Sequence, residues 1–314
     1  MKKFSASLFI TCLSLIFLAT VTFAQNASKT SKDLLNEGIE LHDAEKYDEA
    51  IEKYKAALQI DPGYQTANYE IGNTLYTQDK YDDAIIYLTK VINANKTDIP
   101  DAYNLLGNIY DDKNDPEKAI SLYKKGIAID PDYQRLHFNL AICYYRQGNH
   151  YKEAEAEIQL ALKLEPGHAS SHLLYGNIAY YQKKNNPAIL GFCSFLLKEG
   201  TSKKSESALT KLKDLLTGGE GPKLSVYASF ERSLKAHLEL ATLNFVSNGT
   251  DVAYKHFFAD FFRKLVDSPV FPAFSRYISV TGFNEENMAW FKENPTKAQE
   301  LDDWVASHPR SFTE

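Results

Sequence analysis

Two ladders of small residues run through this chain at a fixed interval, and they restrict its fold more than any other feature. Gly38, Gly72, Gly107, Ala141 and Gly176 follow one another in steps of 34 or 35 residues. Ala50, Ala84, Ala119, Ala154 and Ala188 keep the same steps, each 12 or 13 residues after its partner in the first ladder. A period of this size marks a chain built by repeating one supersecondary unit. The interval accommodates two antiparallel helices of about three to four turns each. Such helices can cross closely only where small side chains meet.

The first unit, 31–64, shows why these residue types are needed. Gly38, Ala50 and Ala57 provide room at the crossing, and Leu34, Leu41 and Tyr54 fill the space beside them. Pro62 cannot continue a helix and turns the chain toward the next unit. Pro131 and Pro166 recur at the same place, while Lys96 and Gly200 stand there in the other two units. Gly38, Leu41, Ala50, Tyr54, Ala57 and Pro62 occupy positions 8, 11, 20, 24, 27 and 32, and with them the stretch resembles the tetratricopeptide repeat family. The resemblance implies an all-α, right-handed superhelical solenoid of about five helix-turn-helix repeats: 31–64, 65–98, 100–133, 134–168 and 169–202. One hairpin alone leaves an apolar face bare, and stacking the next one buries it.

After Gly200 the period is lost. Residues 203–217 read as one amphipathic helix with Leu209, Leu212, Leu215 and Leu216 on one side, suited to covering the last bare face of a repeat stack. Residues 218–222, rich in glycine and closed by Pro222, read as a linker. Residues 223–314 form a smaller, mostly helical C-terminal region, with helices expected at 224–244, 251–267, 284–294 and 296–307. Tyr254, Phe257, Phe258, Phe261 and Phe262 make an aromatic stripe at helical spacing. The stripe reads either as the core of a small helical domain packed on the last repeats or as an exposed patch for a partner or a cell-wall component.

The N-terminus carries Lys2 and Lys3, the apolar run Leu8 to Val21, and Thr22-Phe23-Ala24. These residues resemble a bacterial secretory signal peptide, 1–24, cleaved before Gln25 and followed by a short linker, 25–30. Cys12 sits inside the apolar run without a small residue before it, which disfavours a lipoprotein signal. No later stretch is long and apolar enough to span a membrane. Removing the signal leaves Cys143 and Cys193, too few for a disulfide framework, though one bridge between them stays open. The triplets at Asn26, Asn95 and Asn248 fit a glycosylation pattern too common to carry weight.

Residues 31–202 hold 26 acids and 18 bases, a balance of −8, and residues 203–314 a balance of −1. An acidic repeat array repels a phosphate backbone, so nucleic acid is not expected as a partner. Several acids, Asp48-Glu49 and Asp82-Asp83 among them, sit at helix starts, where they complement the helix dipole.

The family resemblance places positions 2, 5, 6, 9, 12 and 13 of each repeat on the concave face. In this sequence those include Tyr69, Asn73 and Tyr76 of the second repeat and Asn104, Asn108 and Asp111 of the third. The fourth offers Arg135, Phe138, Asn139, Tyr145 and Arg146, and the fifth Asn177, Tyr180 and Tyr181. Asparagine amides both donate and accept, so they can bond an extended peptide backbone, and tyrosines supply rigid contact area. The other reading of these asparagines is a bridge between neighbouring helices. The basic residues of the carboxylate-clamp subgroup would fall at Leu35, Asp101 and Leu105, which disfavours that activity.

No nucleophile elbow, zinc-protease motif or nucleotide-binding glycine turn is present. His137 and His172 share the fourth position of successive repeats without an evident third ligand, so a metal is not expected. Neither a catalytic residue nor a cofactor is expected. The sequence therefore reads as an exported, non-enzymatic scaffold holding a peptide or protein partner, as one member of an envelope complex. Two other readings stand beside it: a structural or cell-wall-associated assembly protein acting through its aromatic C-terminal region, and an enzyme within that region.

Overall fold

A computed structural model describes residues 29–94, 99–199, 201–217, 227–247 and 255–310. The signal-like run, Gly200, the linker 218–222 and Tyr254 lie outside the described residues. Sixteen α-helices and one π-helix are present among those described. The first ten follow as consecutive pairs: α1 Ser31–Asp43 with α2 Tyr47–Ile60, α3 Gln65–Thr77 with α4 Tyr81–Ala94, and α5 Ile99–Asp112 with α6 Pro116–Ile129. Then come α7 Gln134–Arg146 with α8 Tyr151–Leu164, and α9 Ala169–Tyr181 with α10 Asn185–Lys198. Beyond the repeats lie α11 Lys203–Thr217, α12 Tyr227–Ser247, the π-helix π1 Lys255–Asp260, α13 Phe261–Val266, α14 Phe271–Ile278, α15 Asn284–Glu293 and α16 Lys297–Ser307.

The hairpin turns are set by the backbone. Glu45, Asp79, Asn114 and Lys183 each adopt a positive φ of 58–61°, and Gly148 has φ 73°. In the first four cases the residue after it donates to the carbonyl five back, as from Lys46 to Leu41 and Lys184 to Ala179 (2.8 and 2.9 Å). The left-handed residue itself donates three back, as from Glu45 to His42 (2.9 Å). This pair of bonds is a Schellman motif, which satisfies carbonyls that a helix end leaves bare. Three second helices, α2, α6 and α8, stop just before Pro62, Pro131 and Pro166: Asp61, for one, takes an extended conformation, as a residue preceding proline does. At the other end Thr30 and Asp33 form a capping box that starts α1.

The chain divides into two compact units, with the cut between Ile109 and Tyr110, inside α5. In the first unit each helix from α1 to α4 packs on the next. Ala50, Tyr54 and Ala57 are fully buried, as the spacing predicts. Leu35 rather than Leu34 takes the buried place on α1; Leu34 is half-buried. A Cβ on Gly38 would stand 2.4 Å from the Tyr54 ring, so only glycine permits this crossing.

In the second unit one core runs from Ala119 to Leu301. Its centre is α10, whose residues Ala188 to Leu196 are all buried. A helix apolar on every side must be covered on every side. Here α9, α11, α12 and α14 supply the cover. The helix α11 presents Leu209, Leu212, Leu215 and Leu216 inward, as its pattern predicts. Further helices then pack on it. The expected helix at 251–267 is, over its described part, π1 followed by α13, and α14 is a helix that periodicity did not separate from its surroundings.

The aromatic stripe belongs to this core. Phe257, Phe258 and Phe262 are fully buried, and Phe257 and Phe258 stack on His172 and Tyr175 of α9 at 5.7 and 5.4 Å. The exposed-patch reading is therefore corrected: rings packed against α9 cannot meet glycan. Cys143 and Cys193 are free, buried thiols. Burial pushes both up, Cys143 to about 12, so neither is a ready nucleophile.

Candidate functional site

The predicted contact residues lie on the first helices of the repeats in both units. In the first unit Tyr69, Asn73, Tyr76 and Asn108 are half-buried, and Tyr76 sits 5.9 Å from Tyr81. Asn104 is buried at 8% exposure, which withdraws it from any open surface. His42 of α1 and Thr74 of α3 meet across successive repeats, Nδ1 to Oγ1, at 2.8 Å.

The second unit gathers more of them. Arg135 and Arg146 are exposed, and Asn139, Tyr145, Asn177 and Tyr180 are half-buried. Arg146 pairs with Asp111, and Arg135 lies over the Tyr133 ring at 5.7 Å. Tyr145, Tyr151 and Tyr181 form a triangle with ring centroids 5.9–6.1 Å apart, and Tyr180 meets Tyr181 edge-on at 5.6 Å. Such spacings give aromatic pairs their favourable geometries.

Two residues that the sequence reading did not single out complete the face. Lys211 of α11 donates to Asn177 Oδ1 and lies 5.7 and 5.4 Å from the Tyr180 and Tyr181 rings. Tyr180 donates its hydroxyl to Asp214 Oδ2 at 2.8 Å. Both were reachable from the period: adding 34 to Asn177 and Tyr180 gives Lys211 and Asp214. The helix α11 thus continues the first-helix series after the small-residue ladder has stopped. Asn177 does bridge neighbouring helices, so its carbonyl oxygen is committed to Lys211 rather than to a ligand.

The electrostatics follow from burial. Burial lowers the Lys211 pKa, and its lone hydrogen-bond acceptor among the described residues is an amide. Burial, then the neighbouring Tyr181 and Tyr151 hydroxyls, raise the Tyr145 hydroxyl to about 12, so it remains a donor. The acids on this face, Asp111 and Asp214, are engaged by Arg146 and Tyr180. A net positive, tyrosine-rich surface results on α7, α9 and α11 within a chain that is acidic overall.

The histidine pair has a different role. His137 Nε2 donates to the Pro131 carbonyl and His172 Nε2 to the Pro166 carbonyl, each at 2.9 Å. Each ties the start of its repeat to the turn before it. Among the described residues no cluster of three or more His, Cys, Asp or Glu could hold a metal. No helix among them is long and apolar enough to cross a membrane.

Comparison with known proteins gives the same repeat. A profile described as tetratricopeptide repeat matches residues 41–109 and 112–178. The chain is 28% identical over 168 residues, 54% of its length, to BBSome complex member BBS4 of Bos taurus, and this spans 28% of that protein. It is 25% identical over 130 residues, 41% of its length, to the general transcriptional corepressor ssn6 of Schizosaccharomyces pombe, spanning 12% of that protein. The chain thus covers under a third of either relative's length. The solved structure of pilF from Pseudomonas aeruginosa superposes with a TM-score of 0.55 at 15% identity, covering 72% of this chain and 96% of that one. At that identity the likeness concerns the fold alone. Residues 41–109 and 112–178 match tetratricopeptide repeats, and the chain has the all-α fold of consecutive helix pairs that such repeats build.

Proposed function

We propose that this scaffold is exported and that it holds an extended peptide or protein segment against the tyrosine- and lysine-bearing face of α7, α9 and α11. The observation that carries this reading is Lys211: a half-buried ammonium beside two tyrosine rings, with no carboxylate among the described residues at ion-pair distance. A cation kept from full hydration favours an anionic group, and the rings favour an apolar or aromatic neighbour to it. The preferred segment therefore carries an acidic residue next to an aromatic one.

Export rests on Lys2, Lys3, the apolar run Leu8 to Val21 and the small-x-small end at Ala24. The setting we infer is a bacterial envelope, where the scaffold acts as one member of a complex and carries out no catalysis itself. The test has two parts. N-terminal sequencing of protein recovered from the producing cell should begin at Gln25; a retained Met1 would overturn export. Affinity capture of acidic-aromatic peptides should fall at least tenfold in a Tyr181→Ser, Lys211→Gln variant of unchanged helicity. Equal capture would remove this face from the function.

A further inference from the structure

A second cluster gathers around Arg310, the last described residue of the second unit. Arg310 Nη1 donates to Ser194 Oγ at 2.7 Å, and the guanidinium lies 4.7 and 5.3 Å from the Phe261 and Phe257 rings. Guanidinium offers five N–H donors, and Ser194 takes one. Among the described residues no carboxylate comes within ion-pair distance of it. Burial lowers its pKa to about 10. Its charged neighbours make matters worse, since Lys198 and His172 both have their pKa values lowered by burial first and by Arg310 second. A partly buried cation normally keeps a counter-charge, and among the described residues this one has none.

Beside Arg310 is a cavity of about 180 Å³, lined also by Asp260, Phe261, Lys264 and His308. Asp260 is the one acid in that lining, and Arg263 engages it at 3.4 Å. The cavity opens where π1 gives way to α13. A π-helix is rare and often accompanies a functional site. The space admits a group of phosphate size.

We propose that this cavity binds a small oxyanion, a phosphate group held by the Arg310 fork and the Lys264 ammonium. A planar fork and a second cation suit a dianion better than a single carboxylate. Its lining shares no residue with the tyrosine face, so separate variants test the two.

The test titrates the full chain with inorganic phosphate by calorimetry, with sodium chloride at equal ionic strength and acetate as references. Saturable phosphate binding is expected, weakened at least tenfold by Lys264→Gln. Lys264 is exposed, so that variant should melt like the parent without phosphate. Arg310→Lys, which keeps the charge but loses the fork, should weaken binding comparably. Glycerol phosphate is the second arm: binding equal to that of phosphate assigns a monoester, and weaker binding assigns the free ion. Phosphate binding no different from chloride, acetate binding as strong as phosphate, or unchanged binding by Lys264→Gln would each overturn the proposal.

Discussion

Placing a methyl group at Gly176 should destabilise the chain, although alanine is the better helix former. A Cβ there would stand 2.8 Å from Phe192 Cδ1 and 3.2 Å from the Phe192 backbone nitrogen. Phe192 is fully buried and cannot swing aside. From the opposite helix, Gly191 approaches the same point, and its own Cβ would meet the Gly176 Cα at 2.8 Å. In an open helix the change from glycine to alanine gains about 0.8–1 kcal/mol. Overpacking a tight crossing costs about 1–3 kcal/mol. The balance is a net loss of up to about 2 kcal/mol, or a melting point lower by up to about 4–8 °C for a unit of this size. Thermal melts followed by far-UV circular dichroism read this directly. Ala141→Gly, at the same repeat position, should also destabilise, by about 1 kcal/mol, through propensity and lost burial. A higher melting point for Gly176→Ala would refute the close crossing and the packing argument drawn from the small-residue ladders.

Other consequences are open to measurement. Glu45 is an exposed residue held at φ 60°, so Glu45→Gly should relieve about 1–2 kcal/mol of left-handed strain against about 0.5–1 kcal/mol of extra chain entropy. A small rise in melting temperature is expected, and a fall would count against the turn. Burial works to lower the His137 pKa, but Glu157 at 2.7 Å and the Pro131 carbonyl outweigh it, and the net shift is upward. That stabilisation is complete below the unfolded histidine pKa and is lost as pH rises through the folded one. Glu157→Gln should therefore cost more at pH 5.5 than at pH 8, by about 1 kcal/mol; an equal cost at both would sink the assignment. His172 behaves oppositely: burial, with Arg310, holds its pKa well below the ordinary value. Its contribution is present above the unfolded pKa and is lost as pH falls below it. His172→Gln should flatten the acid limb of stability by up to one proton, about 1.4 kcal/mol per pH unit. An acid limb unchanged in that variant would mean His172 is not the group responsible.

How far the sequence speaks depends on what carries each feature. Small residues at the crossings are visible because a side chain there collides with Tyr54 or Phe192. The hairpin turns hold an equally regular ladder at Glu45, Asp79, Asn114, Gly148 and Lys183, yet no residue type repeats. Those turns are fixed by backbone hydrogen bonds, which leave little trace in side-chain identity. Lys211 and Asp214 were missed for a similar reason, since Thr210 stands where the small residue would be and the period looked finished at α10. The aromatic C-terminal residues were legible as apolar, but whether rings at that spacing face a core or a solvent depends on packing against α12 and against α9, the latter remote in sequence. Asn177 shows the limit at one residue: a ligand-facing amide and a helix-bridging amide look alike until Lys211 is placed beside it.

On the proposed function, a partner docks on the first-helix face of α7, α9 and α11. Site-specific photocrosslinking tests it most directly, with a photoreactive residue in place of Tyr181 and, separately, in place of Leu160, an exposed apolar residue on α8. A discrete adduct that an acidic-aromatic peptide competes away is expected from position 181, and none from position 160. Adducts from position 160 alone, or adducts from 181 that the peptide leaves untouched, would contradict it.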